Sequence, residues 1–134
     1  MAANIDPIVR HMFVCDDLVR SSRSPDQWDA LGVVNYIRPA VPGRYPVRLR
    51  QIAVVVQLAG GRGVGQGYIL VVSADTEDPV FASPVHTWNY PPDPLRVLPV
   101  VFRIRECSFP RSGLYWVQFW HRDRKLAEYT VQVE

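Results

Sequence analysis

The C-terminal stretch LAEYTVQVE, residues 126–134, decides the fold class because its apolar side chains recur at every second position. Successive side chains of a β-strand point to opposite faces, so this alternation is typical of a strand with one buried face and one face in water. We therefore predict an antiparallel strand. Its expected inner residues are Ala127, Tyr129, Val131 and Val133, and its expected outer residues are Glu128, Thr130 and Gln132.

The stretch before it, SGLYWVQFWHRDRK at residues 112–125, predicts a second strand and a tight hairpin. The polar RDRK (122–125) separates two strand-like segments and therefore forms the turn. A glycine and then a tyrosine at the head of the strand, Gly113 and Tyr115, are the pattern of a tyrosine corner. In that motif the phenol bonds back to an upstream backbone group.

The same two-residue period recurs along the chain and predicts eight strands. Twelve prolines and eight glycines fall between apolar runs, which favours many short strands over long helices. With 134 residues the chain has the size of one domain. We predict a single immunoglobulin-like antiparallel β-sandwich over residues 1–134. Its predicted strands are Ile8–Asp16, Trp28–Ile37, Val47–Leu58, Gly67–Ala74, Val80–Trp88, Leu95–Glu106, Gly113–Arg122 and Leu126–Val133.

The segment VRLRQIAVVVQL, residues 47–58, contains a change of phase. Val47 and Leu49 begin on one face, whereas the apolar alternation resumes at Ile52 in the opposite phase. A slip of one residue turns every later side chain over. Because a β-bulge absorbs such a slip, we predict one at Arg50–Gln51.

Three segments together resemble a family of small bacterial β-sandwich proteins of unknown function. They are CDDLVR (15–20), DALGVVNYI (29–37) and SGLYWVQFWHRDRKLAEYTVQV (112–133). The family pattern has an aspartate closing the first strand, a leucine–glycine step in the second and a glycine–tyrosine opening of the last hairpin. Asp17, Leu31–Gly32 and Gly113–Tyr115 fit it. The resemblance implies an immunoglobulin-like sandwich and transfers neither an activity nor a catalytic residue.

The composition is that of an ordinary soluble globular protein, with 48% hydrophobic and 21% charged residues. A formal net charge of +2 is too small to indicate a nucleic-acid partner by itself. The N-terminus lacks the pattern of a signal peptide, and no window approaches the ~18 apolar residues of a membrane helix. We therefore predict a cytoplasmic protein without a membrane partner, in which Cys15 and Cys107 are reduced.

The adjacent carboxylates of FVCDDLVR, Asp16 and Asp17, look at first like part of a metal or catalytic site. On an extended chain they point to opposite faces, so they neither chelate one ion together nor share a proton. His11 and Cys15 share a face, but their Cα atoms are ~13 Å apart along a strand. That separation is too large for two ligands of one zinc ion. We interpret the segment as a strand that leaves the core and ends in charged residues.

Other local signatures of enzymes are missing from the sequence. His86 and His121 stand alone on separate predicted strands, without a metal-binding spacing. The segment AGGRGVGQG (59–67) lacks the lysine of a phosphate loop and a following helix, so we interpret it as a flexible hairpin loop. We predict no enzyme, no catalytic residue, no metal and no cofactor. One enzymatic alternative stays open, a hydrolase whose site is assembled from His11, His86, His121 and the Asp16–Asp17 corner.

The strand LYWVQFWHR (114–122) is apolar on both faces, which a half-exposed strand is not. Either a loop such as TWNYPPDP (87–94) covers its second face, or Trp116 and Trp120 form an exposed patch. Large exposed apolar patches mark contact sites, and tryptophan and arginine dominate binding hot spots. Counted by alternation, one face holds Tyr115, Val117 and Phe119, and the other holds Leu114, Trp116, Gln118, Trp120 and Arg122.

These patterns predict a non-enzymatic protein-interaction or scaffold module, with a protein partner or a second copy of itself. The alternative is a ligand-binding sandwich whose aromatic side chains stack on a sugar or a base. A nucleic-acid ligand also needs a basic face, which Arg48, Arg50, Arg103 and Arg105 supply if their strands pair. The predicted binding residues are Trp88, Tyr90, Trp116, Trp120, Arg103 and Arg105.

The arginines also lead to an expectation about stability. If the two strands pair, four guanidinium groups crowd one patch, and like charges opposite each other destabilise a sheet. Replacing Arg103 and Arg105 with glutamine is then expected to preserve or raise the melting temperature.

Overall fold

The computed structural model describes residues 4–134, which form ten β-strands. This range contains no helix that could cross a membrane. The strands are β1 (Ile8–Arg20), β2 (Trp28–Val33), β3 (Tyr36–Ile37), β4 (Val47–Ala59), β5 (Val64–Ser73), β6 (Pro79–Ala82), β7 (His86–Asn89), β8 (Leu98–Phe109), β9 (Gly113–His121) and β10 (Arg124–Val133).

The strands build two sheets that pack face to face, so the predicted β-sandwich is confirmed. The four-stranded sheet has the order β2-β1-β4-β8. The six-stranded sheet has the order β3-β10-β9-β5-β6, and β7 also pairs with β5. Neighbouring strands run antiparallel, except that the two-residue strand β3 pairs with β10 in parallel.

The main core lies between the two sheets and takes alternate residues from both. From β4 come Ile52, Val54 and Val56, and from β9 come Val117 and Phe119, none more than 3% exposed. Fully burying an apolar side chain contributes about 1.5–3 kcal/mol relative to leaving it in water. The C-terminal strand has the predicted orientation, because its inward residues all pack in this core: Ala127, Tyr129, Val131 and Val133.

Two predicted strands are divided, which accounts for ten strands where eight were expected. The segment Trp28–Ile37 splits because β2 pairs with β1 and β3 pairs with β10, so the chain changes sheets between them. The segment Val80–Trp88 splits into β6 and β7, which pair with different parts of β5. Pro84 lies between these two strands, and it has no backbone N–H for a continuous ladder.

The change of phase in β4 is real, but the predicted β-bulge at Arg50–Gln51 is wrong. The pairing register between β4 and β8 stays constant along the whole pair. The inward-facing positions change in both strands at the same level. In β4 they change from odd to even residue numbers after Leu49, and in β8 they change from even to odd before Cys107. Glu106 has a φ of 60° at this level, a backbone conformation uncommon outside glycine. Because the inward-facing positions of the two strands change together, their pairing continues without the extra residue of a β-bulge.

The predicted tyrosine corner is present at the start of β9. Tyr115 is 1% exposed, and its Oη donates a hydrogen bond to the carbonyl oxygen of Arg111 over 2.6 Å. Its ring also packs edge-on against Phe109, with centroids 4.9 Å apart. The phenol therefore closes the short loop between β8 and β9.

The tight hairpin between β9 and β10 is also confirmed. His121 pairs with Arg124, so the turn consists of Arg122 and Asp123 alone. Arg122 has a φ of 56°, as the first position of a two-residue turn of type I′ or II′ requires. The hairpin register shifts between Lys125 and Ala127.

Replacing Tyr115 with phenylalanine is expected to destabilise the fold by about 0.5–1.5 kcal/mol, because the partly buried hydrogen bond to the Arg111 carbonyl is lost. Urea unfolding followed by tryptophan fluorescence measures the change. The matched control is Tyr36→Phe, since Tyr36 is 41% exposed on β3. Equal midpoints for Tyr115→Phe and Tyr36→Phe would contradict the corner's structural role.

Candidate functional site

The outer surface of the six-stranded sheet carries a group of large side chains that we call the tryptophan face: Tyr68, Leu70, Trp116, Gln118 and Trp120. The inward residues of β9 fill the core, so the alternate positions point outward. Pairing with β5 sets Tyr68 opposite Trp120 and Leu70 opposite Gln118. Trp116 and Trp120 are half-buried, as are Tyr68 and Leu70.

The rings of Tyr68 and Trp120 stack with nearly parallel planes on this face. Their planes differ by 6°, and their centroids are 6.2 Å apart. The indole Nε1 of Trp120 donates to Oε1 of Gln118 over 3.0 Å. The bond can form because Gln118 and Trp120 lie two residues apart on the same face of the strand. It restricts the orientation of the indole ring.

A chain of polar contacts extends from Trp120 and Gln118 to β10. Nε2 of Gln118 donates to Oε1 of Glu128 over 2.9 Å, and Nζ of Lys125 donates to the same oxygen over 2.8 Å. The hydrogen bond from Lys125 lowers the pKa of the Glu128 carboxyl below its ordinary value, and the bond from Gln118 adds to this. Glu128 therefore remains an acceptor that fixes both neighbours.

The aromatic residues of the segment 87–94 do not cover the tryptophan face. The ring of Trp88 lies 6.3 Å from the core ring of Phe119, on the inner side of the sheet. Tyr90 also packs against the main core. The four aromatic residues predicted to bind a ligand therefore form two separate groups, Trp116 with Trp120 outside and Trp88 with Tyr90 inside.

The glycine-rich segment 59–67 is explained by the inner pair. A Cβ atom on Gly65 would collide with Nε1 of Trp88 and lie 2.7 Å from Oη of Tyr90, and one on Gly61 would collide with the Tyr90 ring. The two rings thus lie directly against this backbone, where only glycine fits. The segment connects β4 to β5, which belong to different sheets, so the prediction of a hairpin loop is wrong.

A buried histidine at the end of β9 joins three parts of the chain. His121 is 3% exposed, and its Nε2 lies 2.9 Å from Oη of Tyr90. Its Nδ1 lies 3.3 Å from Oδ1 of Asp6, whose Oδ2 lies 3.4 Å from Nη1 of Arg124. With a neutral imidazole protonated on Nδ1, Nε2 accepts the hydroxyl proton of Tyr90 and Nδ1 faces the Asp6 carboxylate. We call this chain of contacts the histidine clasp.

The order hydroxyl, imidazole, carboxylate in the histidine clasp also occurs in hydrolytic triads. The hydroxyl here is the phenol of Tyr90, whose pKa is raised above its ordinary value, mainly by burial. The contacts connect Asp6, before β1, and Tyr90, after β7, to the end of β9.

The residues named for the hydrolase alternative do not converge. His86 stacks on Phe102 with centroids 4.6 Å apart, His11 lies exposed on β1, and His121 belongs to the histidine clasp. Across residues 4–134, no group of three histidine, cysteine, aspartate or glutamate side chains is arranged to hold a metal ion.

The two adjacent aspartates face different surroundings, as their alternation predicts. Asp17 Oδ1 accepts from Nη1 of Arg103 over 2.7 Å, whereas Asp16 lies against Gly32 of β2. The interpretation that the strand ends at these charges is wrong, because β1 continues to Arg20. Pairing with β2 extends it, and partner strands are not visible in the sequence.

The arginine-bearing strands β4 and β8 do pair, but the four arginines do not oppose one another. Arg103 stands opposite Ala53, Arg105 opposite Gln51, and Arg48 opposite Ser108. Besides its bond to Asp17, the Arg103 guanidinium donates to the carbonyl oxygen of Leu18 over 3.0 Å. Arg103 thus reaches across β4 to β1 and is a structural residue of the sheet.

Both cysteines are free and buried, on opposite sides of the four-stranded sheet. Cys107 belongs to the main core, where burial raises the pKa of its thiol to about 11. Cys15 belongs to a smaller cluster on the outer side. Both thiols are therefore held protonated at neutral pH, since burial, as the largest effect, also raises the pKa of Cys15.

Comparison with known proteins gives no family. No protein-family model matches the sequence, and a search of curated proteins finds no match either. The functional argument therefore depends on the geometry of the tryptophan face. Sequence reasoning placed Gln118 on this face but missed Tyr68, Lys125 and Glu128, because cross-strand pairing brings these three residues to it.

The histidine clasp predicts that stability falls on mild acidification. Burial, first, and the nearby Arg122 lower the pKa of His121 below its ordinary value, although Asp6 opposes the shift. Below a pH of about 6.5, His121 binds a proton more readily in the unfolded chain than in the folded protein. The free energy of unfolding therefore decreases as the pH falls. Urea unfolding between about pH 7.5 and pH 5.5 measures the slope.

His121→Gln is expected to flatten this pH dependence, because an amide retains a donor and an acceptor but does not titrate. His11→Gln is the matched control, since His11 is exposed on β1. If His121→Gln keeps the slope of the original protein, the clasp is not its source.

The contacts of Arg103 revise the expectation for the two arginines. Arg103→Gln is expected to lower stability, by less than about 1 kcal/mol, because the ion pair with Asp17 is at the surface. Arg105→Gln, on the same strand and face, is the control and is expected to leave the melting temperature unchanged. A rise in melting temperature for Arg103→Gln would contradict the structural role of the pair.

Proposed function

We propose that the protein is a non-enzymatic interaction module that binds a protein partner through the tryptophan face. The observation that carries this proposal is the presence of two half-buried tryptophans on the outer surface of the six-stranded sheet. Tryptophan side chains of this kind provide most of the binding energy at many interfaces. The proposal needs no group to be activated chemically.

The fixed orientation of Trp120 supports this proposal. Its stacking on Tyr68 and its hydrogen bond to Gln118 order the side chain before any partner arrives. Ordering a flexible side chain at an interface costs roughly 0.5–1.5 kcal/mol, and an ordered anchor avoids that cost. Partner binding therefore loses little entropy here.

The surroundings of the two tryptophans also resemble the rim of an interface. Glu128, Thr130 and Gln132 of β10 are exposed beside Trp116 and Gln118. A polar rim around an aromatic centre is the usual anatomy of a protein–protein contact. Leu114, 45% exposed at the start of β9, extends the apolar centre along the strand.

The chain offers a specific probe for this face. Lys125 is its only lysine, and it stands directly opposite Trp120. An amine-reactive cross-linker therefore reacts within the sequence at Lys125, besides the N-terminal amine. Mass spectrometry of cross-linked peptides then reports which protein lies beside the tryptophan face, and Lys125→Arg distinguishes this link from one through the N-terminus.

Replacing Trp116 and Trp120 together with serine is expected to reduce partner capture and Lys125 cross-linking at least tenfold, because both anchors are removed. The control is Val41→Ser, which removes an apolar side chain 49% exposed in the loop between β3 and β4, outside both proposed surfaces. Circular dichroism checks that each variant is folded. Capture that the double variant retains and Val41→Ser loses would contradict the proposal.

A carbohydrate ligand is the second candidate, and the near-parallel rings of Tyr68 and Trp120 favour it. An ordered aromatic ring with polar neighbours suits the apolar face of a sugar ring. Titration with a broad panel of glycans is then expected to shift the tryptophan fluorescence, and Trp120→Ser to abolish the shift. A flat response across the panel would contradict this candidate.

A further inference from the structure

The outer surface of the four-stranded sheet carries a second apolar cluster, apart from the main core. Cys15, Ala53 and Val55 are at most 2% exposed there, although they point away from the six-stranded sheet. Phe13 and Val101 pack against them and are themselves half-buried. This surface is therefore apolar over several strands, where a sheet face in water is normally polar.

An apolar groove runs over this cluster. It has a volume of about 270 Å³, large enough to receive an aliphatic side chain. Trp28 on the edge strand forms one wall, and the guanidinium of Arg20 lies over its ring at 4.8 Å. The groove is lined by Phe13, Leu18, Trp28, Val55, Val97 and Pro99, among others.

A protruding leucine stands beside the groove. Leu95 is 87% exposed, in the turn that leads into β8. Val97 contributes to the groove and also to a neighbouring depression that Leu95 and Ile8 line, so the two features adjoin. Ile8 is 65% exposed next to it.

The turn that bears Leu95 is held in place by its backbone. The N–H of Leu95 donates to Oδ1 of Asp93 over 3.0 Å, and the N–H of Arg96 donates to the Asp93 carbonyl over 3.1 Å. The N–H of Gly60 donates to the carbonyl oxygen of Pro94 over 3.1 Å. Leu95 is therefore presented on an ordered turn and not on a loose loop.

We propose that this face binds a second copy of the chain, with Leu95 of each copy in the groove of the other. A protrusion and a matching groove on one face are self-complementary, as a two-fold symmetric interface requires. Every contact of such an interface occurs twice. Single exposed apolar residues are common on proteins, but here the most exposed large apolar side chain adjoins an apolar groove.

The electrostatics of the face are compatible with pairing of two copies. The formal net charge of the chain is +2, so long-range repulsion between two copies is weak. Near the groove, Arg103 is paired with Asp17 and Arg20 lies over the Trp28 ring. Arg10 lines the depression beside Leu95, Arg96 follows Leu95 in the chain, and both are exposed. The contact therefore requires these two arginines to stay in water at its rim.

This inference does not depend on the proposed function, because it concerns the opposite sheet. A dimer joined through the four-stranded sheets leaves both tryptophan faces directed outward. Two copies of a weak site on one particle bind a repeated or immobilised partner more strongly than one copy does. The dimer would thus make the chain a bivalent scaffold.

Sedimentation equilibrium of the purified full chain over a wide concentration range tests the inference. We expect a monomer–dimer equilibrium, and Leu95→Asp is expected to weaken dimerisation at least tenfold. Leu114→Asp makes the same change at an exposed leucine on the other sheet and is expected to leave the dimer intact. Trp116→Ser with Trp120→Ser is also expected to dimerise normally, which separates this result from the proposed function.

A second measurement tests the contact itself and does not depend on how Leu95→Asp folds. Ala30 is exposed and lines the groove. When the single variants Leu95→Cys and Ala30→Cys are mixed and oxidised, a disulfide-linked heterodimer is expected. Three results would overturn the inference: a strict monomer at all concentrations, a dimer that Leu114→Asp dissociates and Leu95→Asp does not, or a mixture that forms no disulfide-linked heterodimer.

Discussion

The part of strand β4 from Ile52 to Val56 is buried on both faces, and the rest of the structure depends on that constraint. Its residues Ile52, Val54 and Val56 enter the main core, whereas Ala53 and Val55 enter the outer cluster. A strand without a water-facing side needs neighbours on both edges, which β1 and β8 provide. It also needs cover on its outer face, and the side chains that give this cover form the apolar groove. The candidate dimer surface is thus a consequence of how the centre of the sheet is built.

The six-stranded sheet solves the same problem differently. Strand β9 lies between β5 and β10 and is apolar on both faces, yet its outer residues Trp116 and Trp120 are only half-buried. Their cover comes from one another and from Tyr68 and Leu70, without a further layer over them. The sequence alternation was sufficient to predict that Trp116 and Trp120 point away from the core. It could not predict Tyr68 as their neighbour, because 52 positions along the chain separate it from Trp120 and only strand pairing joins them.

The fold class was predictable from periodicity, whereas the details that depend on pairing were not. The tyrosine corner and the last hairpin were correctly located because both are local, within four residues of Tyr115 and of the turn. The switch of the inward-facing positions in β4 was visible in the sequence as a change of phase. What accommodates it is the matching switch in β8 at the same level. The ion pair of Arg103 joins residues 86 positions apart, so counting charges along a strand could not reveal it. Glycines 61 and 65 were likewise ambiguous until Trp88 and Tyr90 were seen against them.

The two ends of β9 explain why its outer face suits binding. At its start the phenol of Tyr115 bonds to the backbone of Arg111, and at its end His121 is held between Tyr90 and Asp6. A strand tied at both ends by partly buried hydrogen bonds has less freedom to twist or slide. The residues between the anchors, from Trp116 to Trp120, therefore keep a fixed spacing. A site on a rigid strand is better defined than one on a loop, and it loses less entropy when a partner binds. The residues that close the two ends of the core thus also preorganise the surface that we propose for recognition.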